Sequence, residues 1–323
     1  MGIGPTLEAW EASVLPLNYA RTGKDEKNRG KIRKRLYQCV KNEAYYANIV
    51  KYMQDQVKTK KTAATAIAHH IRSFVKRERR FTPHQQRAWN ELGSKYILPL
   101  QDEMLDLPQF FQCPRGSQYR YIMEIGFGGG EMLWHMVTQR PECNFIGIEV
   151  YRPGVANFLT KLLDAGLTAS QLSSVQSSFN NVRLYNDDAI DVLTRSIPAD
   201  SLNEVWLLFP DPWPKQRHHK RRIVQPDFVA LVSEKLVDGG LFRIVTDCED
   251  YAAWSRMILL AEPQLTENKF AAFRDGDVGE LAVITKFAGR ALQKGSVIWE
   301  LEFKKVRKES QINVNIASHL CRT

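Results

Sequence analysis

From about Tyr119 the chain alternates strand-like apolar runs with helical stretches, and five of the runs carry or lead into an acidic residue. YIMEIGFG is an apolar run into glycine, NFIGIEV, NVRLYND and EVWLLFPD follow, and LFRIVTD comes fifth. Between them lie predicted helices over Glu131–Val137, over Pro153–Ala165 stopped by Gly166, and over Pro226–Leu236 stopped by Gly239-Gly240. A strand–helix alternation of this kind specifies an α/β fold with a doubly wound parallel sheet. Near the end, Trp299, Leu301 and Phe303 alternate with Glu300, Glu302 and Lys304, which predicts a late, half-buried strand. Glu124 lies in the first strand, Glu149 ends the second, Asp188 follows the third, Asp211 the fourth and Asp247 the fifth. Open α/β sheets bind ligands at the carboxyl ends of their strands. Acids converging there suit hydroxyls, amines or a cation.

The first turn, Glu124-Ile125-Gly126-Phe127-Gly128-Gly129-Gly130, lets the backbone approach a ligand closely. A dinucleotide fingerprint requires glycine at 131, where this chain has Glu131. A carboxylate there repels a pyrophosphate at the helix N-terminus. The pattern favours a phosphate-free cofactor such as S-adenosyl-L-methionine, whose sulfonium is cationic, over a nicotinamide dinucleotide. Glu149, about 20 residues past the glycines, is spaced to accept ribose hydroxyls. Asp188 is a candidate acceptor for the adenine amino group.

The fourth strand runs into Phe209-Pro210-Asp211-Pro212-Trp213-Pro214 and then Lys215-Gln216-Arg217-His218-His219-Lys220-Arg221-Arg222. A stiff Pro-Asp-Pro-Trp turn sets a flat indole beside a fixed carboxylate, an arrangement that can stack and bond a base. The basic run after it suits backbone phosphates. Adjacent histidines seldom ligate one ion and no third ligand is suitably spaced, so no metal is expected. Of the net charge of +9, the whole excess lies in residues 1–115, with 21 Lys and Arg against 11 Asp and Glu. That asymmetry favours an acidic polymer as partner, nucleic acid before membrane. Ile32, Leu36, Val40, Ala44, Ala47, Val50 and Val57 recur at helical spacing, predicting a basic amphipathic helix that either docks on the main domain or follows RNA. Thr82, Pro83 and Gln85 predict a capped helix start. The five cysteines show no CxxC pair, which argues against a disulfide framework or zinc site. No apolar run reaches membrane-spanning length and the N-terminus lacks a secretory signal, so the expected location is cytoplasmic.

From Ile71 to Val306 the sequence resembles the bacterial tRNA (guanine-N7-)-methyltransferase family, through IRSFVKRERRFT, EIGFGGG, GIEVYRPGV, NDDA, FPDPWPKQRHHKRRIVQ, TDCEDYA and ITKFAGRA. The FPDPW…RHHKRR block is highly specific, whereas EIGFG alone marks only the class I methyltransferases. The resemblance implies a Rossmann-like class I sheet of seven strands. It implies methyl transfer from S-adenosyl-L-methionine to N7 of the variable-loop guanine at position 46 of tRNA. Glu124, Glu149, Asp188 and Asp211 are then expected on the cofactor side, with Gly126 and Gly128. Lys215 and Asp247 would hold the substrate beside Thr285, Lys286, Phe287, Ala288 and Arg290, and Arg217, His218, His219, Lys220, Arg221 and Arg222 would contact RNA. Asp211 is expected to be the key residue, stabilising charge rather than removing a proton. The family usually has Thr-x-Phe-Glu where this chain has Thr285-Lys286-Phe287-Ala288, so a carboxylate able to accept from guanine N1–H and N2–H is missing. Such a loss costs about 1.5–3 kcal/mol. Glu280 and Asp277 are the nearby candidates to replace it. A diverged paralogue acting on another RNA guanine, and a tRNA-binding protein with weak catalysis, are the alternative readings. The expected organisation is a basic helical extension over 1–70 outside the resemblance, an RNA-contacting segment over 71–118, the methyltransferase domain over 119–306 and a tail over 307–323.

Overall fold

The computed structural model describes residues 71–75, 79–113, 119–165, 179–273 and 285–307. The amphipathic helix expected between Ile32 and Val57, the stop at Gly166, the candidates Asp277 and Glu280, and the tail from residue 308 lie outside the described residues. Helix α1 (Pro83–Tyr96) starts as its sequence predicts: the Thr82 hydroxyl accepts from the Gln85 N–H at 3.2 Å, and the Gln85 side chain accepts from the Thr82 N–H at 2.9 Å. It leads into a two-residue strand β1 (Ile97–Leu98) and a short helix α2 (Leu107–Phe110).

The alternating unit then follows: β2 (Arg120–Ile125), α3 (Glu131–Gln139), β3 (Cys143–Ile148), α4 (Arg152–Asp164), β4 (Val182–Tyr185), α5 (Ala189–Arg195) and β5 (Leu202–Leu208). After a 3₁₀ turn over Gln216–Arg221 come α6 (Pro226–Lys235), β6 (Leu236–Thr246), α7 (Glu249–Leu260), β7 (Leu265–Phe273), α8 (Lys286–Gln293) and β8 (Ile298–Lys305). The strand order is β1-β4-β3-β2-β5-β6-β8-β7. Pairings from β1 through β6 are parallel, and β8 runs antiparallel between β6 and β7. The seven expected strands are thus joined by an eighth, the short edge strand β1.

All six residues of β3 and five of six in β2 are buried, as parallel strands covered on both faces must be. Helix α4 packs against both α1 and α3, and α6 against both α5 and α7. Phe158 of α4 is fully buried among Phe127 and Trp134, with ring centroids at 6.0 and 6.2 Å. Truncating such a ring costs about 3–5 kcal/mol.

Two local expectations need correction. Gly239-Gly240 do not end α6; they lie inside β6. Leu202 pairs Leu236 and Glu204 pairs Leu241, so the residues between bulge out. Gly239 has φ +78°, and a Cβ on Gly240 would meet the carbonyl oxygens of Val237, Leu202 and Asn203 at 2.9–3.2 Å. Likewise β8 is not half-buried: Glu300 and Glu302 are as enclosed as its apolar residues. They pair across strands with Lys269 and Arg243, each at 2.6 Å. The two-residue alternation separates an apolar face from an ion-paired one, because a central strand has neighbours on both edges.

Candidate active site

A cavity opens at the carboxyl ends of β2, β3, β4 and β5, the switch point of the sheet. Of the expected residues it gathers Glu124, Gly126, Gly128, Glu149, Asp188, Asp211, Thr285 and Phe287. Asp247, Lys215, Lys286, Ala288, Arg290 and the 217–222 run do not line it.

Gly126 and Gly128 have φ of +73° and +56°, and a Cβ on either would enter open space. Their backbone conformation, rather than crowding, calls for glycine. Glu149 accepts from the Gly128 N–H and the Tyr151 N–H, both at 2.7 Å. It therefore braces the glycine turn as well as facing the cavity. Asp188 caps α5 by accepting from the Ile190 N–H at 3.0 Å. Glu124 is buried, and its Oε2 has no protein hydrogen-bond partner. Burial, with Glu131 and Glu149 nearby, pushes its carboxyl up to about 8. An orphaned buried carboxyl oxygen in a cavity ringed by acids suits a cationic group.

Glu131, Asp187, Phe209, Ser73 and Phe74, none of them expected there, also line the cavity. Glu131 also pairs with Lys286 at 2.8 Å, joining the first turns of α3 and α8. The mismatch at position 131 was visible as a barrier to pyrophosphate, but nothing local signals that residues 73–74 return to the site.

Asp211 is exposed at the cavity edge between two residues in the left-handed region, Phe209 at φ 49° and Trp213 at φ 45°. Such a conformation costs about 1–3 kcal/mol per bulky residue and persists only when its surroundings hold it. Here the Phe209 N–H donates to the Val245 carbonyl at 2.7 Å, and the Trp213 indole donates to the Ser73 carbonyl at 2.9 Å. Trp213 is not a free platform, since Arg221 covers its ring at 4.1 Å and His218 meets it edge-on. Phe287 is the exposed aromatic, 55% accessible and stacked on Phe209 at 6.2 Å.

The basic run divides. Arg217, Lys220 and Lys215 are exposed. Arg221 donates to the Phe74 carbonyl at 3.1 Å. Arg222 is buried, bonded to the Pro212 carbonyl and paired with Asp250, so it does not face a phosphate. Desolvation, together with neighbouring cations, lowers the pKa of His218 and His219 from the ordinary imidazole value. Ala288 is also redirected: it is buried in the core, in the first turn of α8, where the Thr285 hydroxyl caps its N–H at 3.1 Å. A glutamate there would complete a capping box.

Among the described residues no His, Cys, Asp or Glu group is arranged to hold a metal, and no helix is long and apolar enough to cross a membrane. Cys113, Cys143 and Cys248 are free thiols.

The family described as "Putative methyltransferase" matches residues 118–301. A tRNA (guanine-N(7)-)-methyltransferase of Pseudomonas putida is 42% identical over 236 residues, 73% of this chain and 91% of that protein. One from Hydrogenovibrio crunogenus is 37% identical over 257 residues, 79% of this chain and all of that protein. Among solved structures, the 16S rRNA methyltransferase KamB aligns with a TM-score of 0.45 at 13% identity, covering 64% of this chain and 95% of that one.

Proposed function

As the chain belongs to the tRNA (guanine-N(7)-)-methyltransferase family, we propose that it transfers a methyl group from S-adenosyl-L-methionine to N7 of the variable-loop guanine at position 46 of tRNA. The observation that carries this reading is the convergence of Glu124, Glu149, Asp188 and Asp211 with Gly126 and Gly128 on one cavity at the switch point of the sheet. The donor set fits the cofactor: Glu124 would receive a cationic group, Glu149 the ribose hydroxyls and Asp188 the adenine amino group. When bound, the cofactor supplies an electrophilic methyl group on a sulfonium.

Guanine N7 carries an in-plane lone pair and needs no deprotonation. The protein's task is alignment, and holding two reactants in line recovers most of what a bimolecular encounter costs. Asp211 is the catalytic residue on this reading, its carboxylate stabilising the positive charge that develops on the methylated ring. Phe287 offers the base a stacking face. Lys215, Asp247, Thr285, Lys286 and Arg290 hold the surrounding nucleotide, and Arg217 and Lys220 neutralise backbone phosphates.

The test is methyl transfer from labelled S-adenosyl-L-methionine to tRNA prepared from cells lacking 7-methylguanosine, followed by nucleoside mass spectrometry. Label in 7-methylguanosine is the expected result. Label in another nucleoside would assign a diverged substrate, and no transfer despite cofactor binding would leave a binding role.

A further inference from the structure

We propose that Arg222 is a positioning residue for Asp211: buried behind the Pro-Asp-Pro turn, its guanidinium grips the Pro212 carbonyl and so aims the carboxylate that precedes it. The inference rests on the catalytic assignment of Asp211 above. Its own support is geometric. The Arg222 side chain has no exposed surface, and its Nε–H donates to the Pro212 carbonyl at 2.9 Å. Its Nη2 donates to Asp250 in the first turn of α7. The rings of Tyr251 and Trp254 lie 5.2 Å from the guanidinium carbon. These rings are pinned in turn to Val224, through the Trp254 indole donating to its carbonyl at 2.7 Å and its N–H donating to the Tyr251 hydroxyl at 3.4 Å. The loop after β5 is thereby fastened to the helix after β6.

Three features make this more than packing. An ion pair between buried Arg222 and half-exposed Asp250 is a weak source of stability, because desolvation of the guanidinium offsets the attraction. What it supplies is direction, and Arg222 directs a bond at the Pro212–Trp213 peptide, one residue beyond Asp211. That peptide sits in a turn whose flanking residues, Phe209 and Trp213, are both in the left-handed region. The turn therefore depends on outside contacts to keep its shape. Finally, the sequence context marks Arg222 as one more cation in an RNA-binding run, whereas its burial removes it from that role.

Two variants test the assignment, R222K and D250N, each measured alone and with D211N. Lysine retains the charge but cannot bond Pro212 and Asp250 together in the planar fork. The R222K enzyme should lose about 100-fold in kcat, the scale expected for a misplacement of about 1 Å. Cofactor affinity, tRNA affinity and the salt dependence of tRNA binding should be unchanged. Added to D211N, R222K should cost nothing further, since both act on one carboxylate. Wild-type kcat in a folded R222K protein would overturn the proposal, as would an undiminished further loss in the D211N background. A lower salt slope would do so too, by making Arg222 a phosphate contact. If R222K does not fold, D250N decides, because it leaves the arginine in place and loosens its anchor: a roughly tenfold fall in kcat supports the proposal and no change refutes it. Wild-type kcat in D211N itself would instead sink the catalytic assignment, an outcome separable from failure of the Arg222 variants alone.

Discussion

The two halves of the site were built by different kinds of information. On one side, the glycine turn and the carboxylates Glu124, Glu149 and Asp188 sit at strand ends and first helical turns, where the order of elements dictates the position of each side chain. On the other, Lys215 to Arg222 is one continuous basic run in the sequence, yet its members take opposite roles. Arg217 and Lys220 face solvent, Arg221 lies over Trp213, and Arg222 is buried against Asp250. A 3₁₀ turn spanning Gln216–Arg221 turns neighbouring residues in different directions, and distant partners then choose among them. Composition marks the whole run as cationic, but only packing says which of its cations stay exposed.

The comparison can be broken most directly at Asp211, where the halves meet. Asp211→Asn should lower kcat by about 100- to 1,000-fold with cofactor affinity intact, measured by single-turnover transfer alongside calorimetry. A normal turnover would move the chemistry elsewhere in the cavity.

On the acidic side, Glu124→Gln should weaken cofactor binding about tenfold or more at pH 8, the loss of one charge-assisted bond. The sign of the pH effect follows from its raised carboxyl, pushed up to about 8. To pair with a cation, Glu124 must release a proton, so wild-type affinity should climb between pH 6 and pH 8. The variant should show a flatter profile. A parallel climb in both proteins would remove Glu124 from the contact.

Across the site, Arg217→Ala with Lys220→Ala should weaken tRNA binding about tenfold at low salt and reduce the slope of log K against log salt by about 1–2. Because the R222K protein is expected to keep the wild-type slope, titrations of the two together sharpen the division within one run. Equal slopes in all three proteins would erase it.

The smallest effect concerns stability. Between pH 4.5, the ordinary glutamate value, and about 8, folded Glu124 holds a proton that the unfolded chain releases. Stability from this group therefore falls as pH rises through that window. Removing the titration with Glu124→Gln should raise the melting temperature of the cofactor-free protein by about 5 °C at pH 8, an effect vanishing by pH 5. A constant offset at both values would point to packing rather than charge.

Much of the fold was legible because its signals are local and repeated. The apolar runs of β2, β3 and β5 and the Thr82 cap read correctly, since each depends on a few consecutive residues, and four of the five strand-tip acids line the cavity while Asp247 does not. The errors fell where long-range pairing overrides a local rule. Gly239-Gly240 read as a helix stop and proved to be a bulge, because β6 pairs β5 on both sides of them. Glu300 and Glu302 read as solvent-facing and proved buried, because β8 lies between two strands carrying Arg243 and Lys269. Ala288 read as part of the site and is a core residue of α8.

The sequence by itself determined the alternating architecture, the strand tips that meet at one cavity, and the concentration of positive charge in residues 1–115. These follow from periodicity, turn chemistry and composition, which are properties of neighbouring residues. Only the tertiary structure decided that Ser73 and Phe74 line the cavity, that Trp213 is clamped rather than open, and that Arg222 holds the turn of Asp211 instead of reaching for RNA. A buried guanidinium is tolerable only beside its carboxylate and carbonyl partners, and those partners lie on elements that the chain brings together only when it folds.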